Sequence, residues 1–294
     1  MSTRKSYIFS LIFLGSLILL FSGWLVYNSL RPASHFNGQQ AYQDVLAQVS
    51  LGARTPGSIA HAQAIAYIRK ELEKAGWLVQ IQSTKWQGFS VQNIIASRSE
   101  GPASILVGAH YDSRLLADQD QGAGRMLPVP GANDGAAGVA ILLELARSLP
   151  SGSVPVWLVF FDAEDNGGLE NRQWSMGSRA FVAALEEKPQ AAIIVDMVGD
   201  ADLNLFIERN SDETLSAEIW AQAAALGYGM NFNPTPKYSM LDDHTPFVEA
   251  GIPAVVIIDF DYPFWHTSAD TLDKVSVQSL QAVGETLWKW IESQ

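Results

Sequence analysis

The sequence predicts an α/β protein with a largely parallel sheet covered on both faces, and three observations predict it. Strand-type and helix-type segments alternate along residues 39–294, the order that βαβ units produce. The central strand candidates, 104–108, 154–161, 191–197 and 254–258, are predominantly apolar on both faces, as strands buried on both sides must be. These strands run into turns or loops rich in carboxylate and histidine, at the strand ends where open α/β sheets gather ligands.

The elements follow in chain order. Residues 39–49 read as a helix, and 52–57, with Gly52, Pro56 and Gly57, as a turn-rich loop. Residues 58–75 carry apolar side chains at helical spacing, with Ser58 as N-cap and Gly76 as terminator. Two β-type runs, 77–82 and 93–97, precede the short apolar strand 104–108. A strong helix over 138–149 leads to the buried strand 154–161, a helix over 174–185 and the strand 191–197. Strand 203–207, helix 213–226, strand 254–258 and a closing helix over 277–291 complete the pattern. The sequence shows no internal repeat and no linker after residue 38, so a single catalytic-size domain over 39–294 is expected.

Composition narrows the chemistry. Without cysteine, disulfides, thiolate-held zinc, iron–sulfur clusters and a cysteine nucleophile are excluded. A formal net charge of −12 argues against nucleic acid as a partner, because phosphate binding needs a basic face. The charge is unevenly spread: residues 1–31 hold Arg4, Lys5 and Arg31 and no acid, leaving −15 on the remainder. Between the cations lies an uncharged apolar run over 7–30, which as a helix reaches roughly 36 Å and so spans a bilayer core. Trp24 and Tyr27 sit near its far end, as interfacial anchors do. The run reads as an uncleaved signal anchor, with a cleaved signal peptide as the alternative. Arg4 and Lys5 keep the N-terminus cytoplasmic by the positive-inside rule. The expected organisation is therefore a membrane helix over 1–31, a linker over 32–38 and an acidic domain outside the cytoplasm. The absence of disulfides inclines this toward a bacterial cell envelope; secretion after cleavage is the alternative.

Six polar sites stand out. Strand 104–108 runs into Ala109-His110-Tyr111-Asp112-Ser113, strand 154–161 into Asp162-Ala163-Glu164-Asp165, and strand 191–195 into Asp196-Met197-Val198-Gly199-Asp200. Strand 254–258 leads through a loop to Trp265-His266-Thr267; Asn133-Asp134-Gly135 precedes the helix at 138, and Asp242-Asp243-His244 opens a later turn. One strand ending in Asp means little, since Asp caps and turns chains everywhere. So many acids and histidines at one rim would repel one another unless a cation lay between them. Zinc suits a mixed nitrogen and oxygen site without cysteine, with cobalt or manganese as alternatives. His35 and His61 lack such company and read as surface residues.

Taken in order, Val107–Ser113, Gly131–Gly135, Phe160–Asp165, Val195–Met197 and Trp265–Thr267 resemble the zinc aminopeptidase and glutaminyl cyclase superfamily, over roughly residues 40–294. The resemblance implies a three-layer α/β/α zinc-exopeptidase-like fold with a central mixed, mostly parallel sheet. In the aminopeptidase pattern two zinc ions are implied: Asp134 bridges them, Asp165 and His266 complete one site, and His110 with Asp196 the other. Glu164 is then the general base. In the cyclase pattern one zinc is implied, on Asp134, Asp165 and His266, with Glu164 shuttling a proton and Asp196 belonging to a carboxylate network.

Three features draw the sequence toward the bacterial cyclase branch. Asp242 stands where aminopeptidases carry Ser, Trp174 and Trp265 match the substrate-pocket tryptophans, and Asp165 replaces the more usual Glu as ligand. The segment Ser113–Asp118 points the same way. The resemblance thus implies a glutaminyl-peptide cyclotransferase acting on peptide or protein N-termini, with Glu164, Asp196 and Asp242 as catalytic acids. A metalloaminopeptidase is the alternative. A non-enzymatic metal-binding domain would leave Glu164, which ligates nothing in this scheme, without a reason to be there.

Overall fold

In a computed structural model, residues 35–294 are described and form one compact unit. The expected membrane helix over 1–31 lies outside the described residues; among the described residues no helix is long and apolar enough to cross a membrane. In chain order the elements are α1 (Gly38–Val49), α2 (Ile59–Lys74), β1 (Leu78–Trp86), β2 (Phe89–Ser97), β3 (Ile105–His110), α3 (Ala136–Ser148), β4 (Val156–Phe161), α4 (Met176–Ala183) and β5 (Ala191–Asp196). There follow β6 (Leu205–Ile207), α5 (Glu213–Ala225), β7 (Phe232–Pro236), α6 (Thr245–Glu249), β8 (Ala254–Ile258) and α7 (Val277–Glu292).

Six strands make one sheet in the order β1-β2-β4-β3-β5-β8. The last four are parallel, while β1 and β2 join as an antiparallel hairpin on the β4 side. Alternation along β3 shows why a continuous apolar run was needed. Ile105, Val107 and Ala109 enter the core under α1, α2, α3, α5 and α7, whereas Leu106 enters a second core with Phe181 of α4 and Phe247 of α6. Helices therefore cover both faces, and the sheet is mixed and mostly parallel, as the sequence pattern indicates.

Several local features differ from expectation. The hairpin is longer than its apolar runs, because residues 83–86 pair with 89–92, where polar Ser83, Thr84, Lys85, Ser90 and Gln92 are mixed with Trp86, Phe89 and Val91. Its two-residue turn, Gln87-Gly88, has positive φ at both positions (49° and 90°), the geometry that matches strand twist. The helix expected from Trp174 begins only at Met176, since Ser175 is held in the left-handed region at φ 58°. The short β7 and α6 escaped the periodicity reading because each spans only five residues. Within the expected linker, Phe36 is buried in the core and Asn37 caps α1 with its side chain. His61 is not a surface residue: it is buried, with Nε2 2.8 Å from Asp162 Oδ1, and its ring stacks on Tyr111.

Candidate metal centre and active site

The C-terminal ends of the four parallel strands lie side by side, so the residues at those ends form one rim. His110 is the last residue of β3 and Asp196 the last of β5; His110 Nε2 lies 3.1 Å from Asp196 Oδ1 and 3.2 Å from Asp134 Oδ1. The turn after β4 brings Asp165 Oδ1 to 2.8 Å from His266 Nε2, and Asp134 Oδ2 lies 4.0 Å from the same nitrogen. Among the described residues two groups can hold a metal ion, His110–Asp134–Asp196 and Asp134–Asp165–His266, and Asp134 belongs to both.

Each member is fixed by its backbone surroundings. Gly135 follows Asp134 with φ 99°, and a Cβ there would meet Asp112 O at 2.7 Å, so glycine is required for the close turn that presents Asp134 at the start of α3. Asp270 accepts from the backbone N–H groups of Asn133 (2.9 Å) and Asp134 (3.1 Å). Asp112 accepts from the backbone N–H groups of Glu164 (3.1 Å) and Asp165 (3.4 Å) and so shapes the acidic turn after β4. Ala163, Met197 and His266 all have positive φ; such backbone strain concentrates at functional sites. In the sequence, Asp112 stood out only as part of the polar segment after strand 104–108, and Asp270 not at all; the backbone-anchoring roles of both depend on contacts far apart in the chain.

His266 sits between two tryptophans, Trp265 at 3.7 Å and Trp174 at 6.0 Å between ring centroids, both roughly parallel to it. The two indoles also line a cavity of about 270 Å³, together with Met240, Leu241, Ile258, Phe260 and the acids Asp134, Glu164, Asp165, Asp196 and Asp242. The structure therefore brings together Asp134, Glu164, Asp165, Trp174, Asp196, Asp242, Trp265 and His266 at one pocket, with His110 hydrogen-bonded beneath Asp196. Glu164 is buried and accepts a hydrogen bond from the Ser175 hydroxyl at 3.2 Å.

Electrostatics identify what the cluster lacks. Burial, then the charge of Asp134, pushes the Asp165 carboxyl up to about 6. Burial, reinforced by Asp242 and Asp134 and opposed by His110, carries Asp196 to about 7. Burial and the neighbouring Asp243 and Asp242 hold Glu164 well above the usual carboxylate range. Burial opposes charge on His110, yet Asp196, Asp112 and Asp134 outweigh it and hold the imidazole well above its ordinary value. Asp134 Oδ2 and Asp165 Oδ2 are buried without a hydrogen-bond partner, a costly condition that a divalent cation relieves. A donor set of one imidazole and two carboxylates fits zinc.

A parallel-centred sheet bearing such a rim defines a class, that of metal-dependent exopeptidase-like enzymes. Residues 93–291 match the profile of peptidase family M28, and the chain belongs to that family. Its fold is similar to that of a glutaminyl cyclase from Tannerella forsythia, with a TM-score of 0.83 and 32% identity over 88% of this chain and 99% of that one. It is similar also to a Zn-dependent exopeptidase from Parabacteroides distasonis, with a TM-score of 0.82 and 29% identity over 88% and 99% of the two chains. In sequence it is 25% identical to the glutaminyl-peptide cyclotransferase of Gloydius blomhoffii, covering 86% of this chain and 81% of that one.

Proposed function

We propose that the chain is a zinc-dependent glutaminyl-peptide cyclotransferase, converting an N-terminal glutamine to pyroglutamate with release of ammonia. The observation that carries this reading is the combination of Asp242 with Glu164 and Asp196 in a small, tryptophan-walled cavity. At about 270 Å³, the cavity lies below the roughly 300–1,000 Å³ of drug-sized ligand pockets and suits one side chain.

Zinc held by Asp134, Asp165 and His266 would supply Lewis acidity toward the γ-carboxamide oxygen. Glu164 takes a proton from the substrate α-amine as its nitrogen bonds to the γ-carboxamide carbon, then delivers a proton to the departing amide nitrogen. Nucleophile and carbonyl belong to one residue, so the walls need only orient it, and orientation supplies much of the acceleration. Trp174 and Trp265 narrow the space beside the reacting carbon and limit entry of water, whose attack would give glutamate instead. Asp196 and Asp242 line the same pocket, where burial and neighbouring carboxylate charge favour protonated carboxyls that would face the amine.

A second reading, a dinuclear zinc aminopeptidase, is favoured by the two ligand groups that share Asp134. There Glu164 deprotonates water for attack on the first peptide carbonyl. The proposal also includes membrane anchoring through residues 1–31 with the acidic domain outside the cytoplasm; the supporting feature is the cation-flanked apolar run over 7–30.

The test is to incubate purified protein with a Gln-initiated and a Leu-initiated peptide. The expected product, by mass spectrometry, is loss of ammonia from the first with no chain shortening. Removal of the first residue without cyclised product would overturn the cyclase reading in favour of the aminopeptidase. Metal analysis should give about one zinc per chain for the cyclase and two for the alternative. Glu164→Gln should lower turnover by about 10²–10⁴-fold while zinc is retained.

A further inference from the structure

Arg114 lies outside both ligand groups, yet it is buried beside them. Nε donates to Asp118 Oδ1 at 2.9 Å and Nη2 to Asp118 Oδ2 at 2.6 Å, a bidentate pair. Nη1 donates to the backbone carbonyl of Asp165 at 2.7 Å. The guanidinium carbon stands 5.1 Å from the ring centroid of Trp174, and Trp174 in turn is stacked on His266. Asp118 Oδ1, already aligned by Arg114, is 3.4 Å from His266 Nδ1. Gln119 donates its backbone N–H to the His266 carbonyl at 3.2 Å, so the same segment also holds the left-handed backbone of that residue.

These contacts form a closed ring of restraints. At 3.4 Å the Asp118 carboxylate is a charge beside Nδ1, close enough to favour a proton on that nitrogen. The Nε2 lone pair would then be left for Asp165 and Asp134 to share with a cation. Carboxylates placed in this way fix the orientation of a ligating ring. Arginine is suited to the task because one rigid fork meets a carboxylate with two donors while its planar face stacks on an indole. Lysine's three donors radiate from a single nitrogen, so it matches neither the bidentate fork on the carboxylate nor the planar stack on the indole.

We propose that Arg114 and Asp118 are positioning residues that set the tautomer and orientation of His266 and the placement of Asp165, and through them the zinc affinity. The same guanidinium braces Trp174, so the metal site and the pocket wall share one support. This inference rests on the reading of Asp165 and His266 as zinc ligands and is independent of which reaction the enzyme performs.

The experiment measures zinc affinity by chelator competition on the purified protein, together with the thermal midpoint in excess chelator. Asp118→Ala should weaken zinc binding by about 10–100-fold, beyond the drop in chelated midpoint expected from unpairing the buried Arg114 guanidinium. Asp118→Asn retains an acceptor for Nδ1–H and should recover much of the loss. Arg114→Lys keeps the charge but loses the simultaneous contacts, and should weaken zinc roughly 10-fold; it also serves if Asp118→Ala does not fold. Wild-type zinc affinity in Asp118→Ala or in Arg114→Lys overturns the proposal, as does an Asp118→Asn variant no better than Asp118→Ala. A wild-type protein that binds no zinc instead overturns the ligand reading beneath it.

Discussion

Ser175 combines two properties in one residue. Its backbone occupies the left-handed region at φ 58°, which costs a residue with a Cβ of order 1–2 kcal/mol, and its hydroxyl donates to the Glu164 carboxylate. The two contributions are separable. Ser175→Ala and Ser175→Gly both remove the hydroxyl, so both should lower kcat, by roughly 10-fold, with less effect on KM. Only glycine relieves the backbone, and the Gly variant should therefore be more stable than the Ala variant by about 1 kcal/mol. Denaturant titration and steady-state kinetics of the pair decide the matter, and equal stability would show that no strain resides there. Ser175 itself was silent in the sequence, because nothing in Gln173-Trp174-Ser175-Met176 announces a left-handed turn. Glu164, Asp165 and Asp196 drew attention because acids followed successive strand ends, while Asp134, ahead of a helix, and His266, beyond a loop, were singled out by the resemblance of their motifs.

Among the elements, the helical layer is tied together by Arg147 of α3. Its guanidinium makes a bidentate pair with Asp44 of α1 (2.6 and 2.9 Å) and reaches Glu71 of α2 and Glu144 of its own helix. Asp44 is almost fully buried and also accepts from the Tyr67 hydroxyl. Arg147→Met should destabilise by about 3 kcal/mol, because it strands a buried carboxylate, and urea unfolding measures this. Adding Asp44→Asn should restore part of the loss; an unchanged midpoint in the single variant would mean the network contributes nothing. Of these elements, the central strands and long helices were legible from periodicity, since each needs a full apolar face. The hairpin tip at Gln87-Gly88 and the five-residue β7 and α6 were not. The places of β7 and α6 are imposed by pairing and packing partners distant in the sequence, whereas the hairpin tip is local and lay outside the apolar runs.

At the scale of the whole molecule, the rim concentrates acids whose mutual repulsion opposes folding until a cation binds. Zinc removal should therefore lower the thermal midpoint of the intact protein. At a free zinc concentration 100-fold above the dissociation constant, linkage gives about 2.7 kcal/mol, or roughly 5–10 °C for a domain of this size. Differential scanning with and without chelator tests this, and an identical midpoint would count against a resident metal. One further consequence follows from Asp134, which serves both candidate ion sites. On the proposed ligand reading, a change at Asp134 should disable both candidate ion sites, whereas a change at His110 or Asp196 should remove one and spare the other. On that reading, such a centre could hold one or two ions without being rebuilt, and the choice of nucleophile would then fall to the neighbouring indoles and the loop that carries Asp242. In a fold arranged this way, a new reaction can be acquired by altering the walls while the metal clasp is inherited intact.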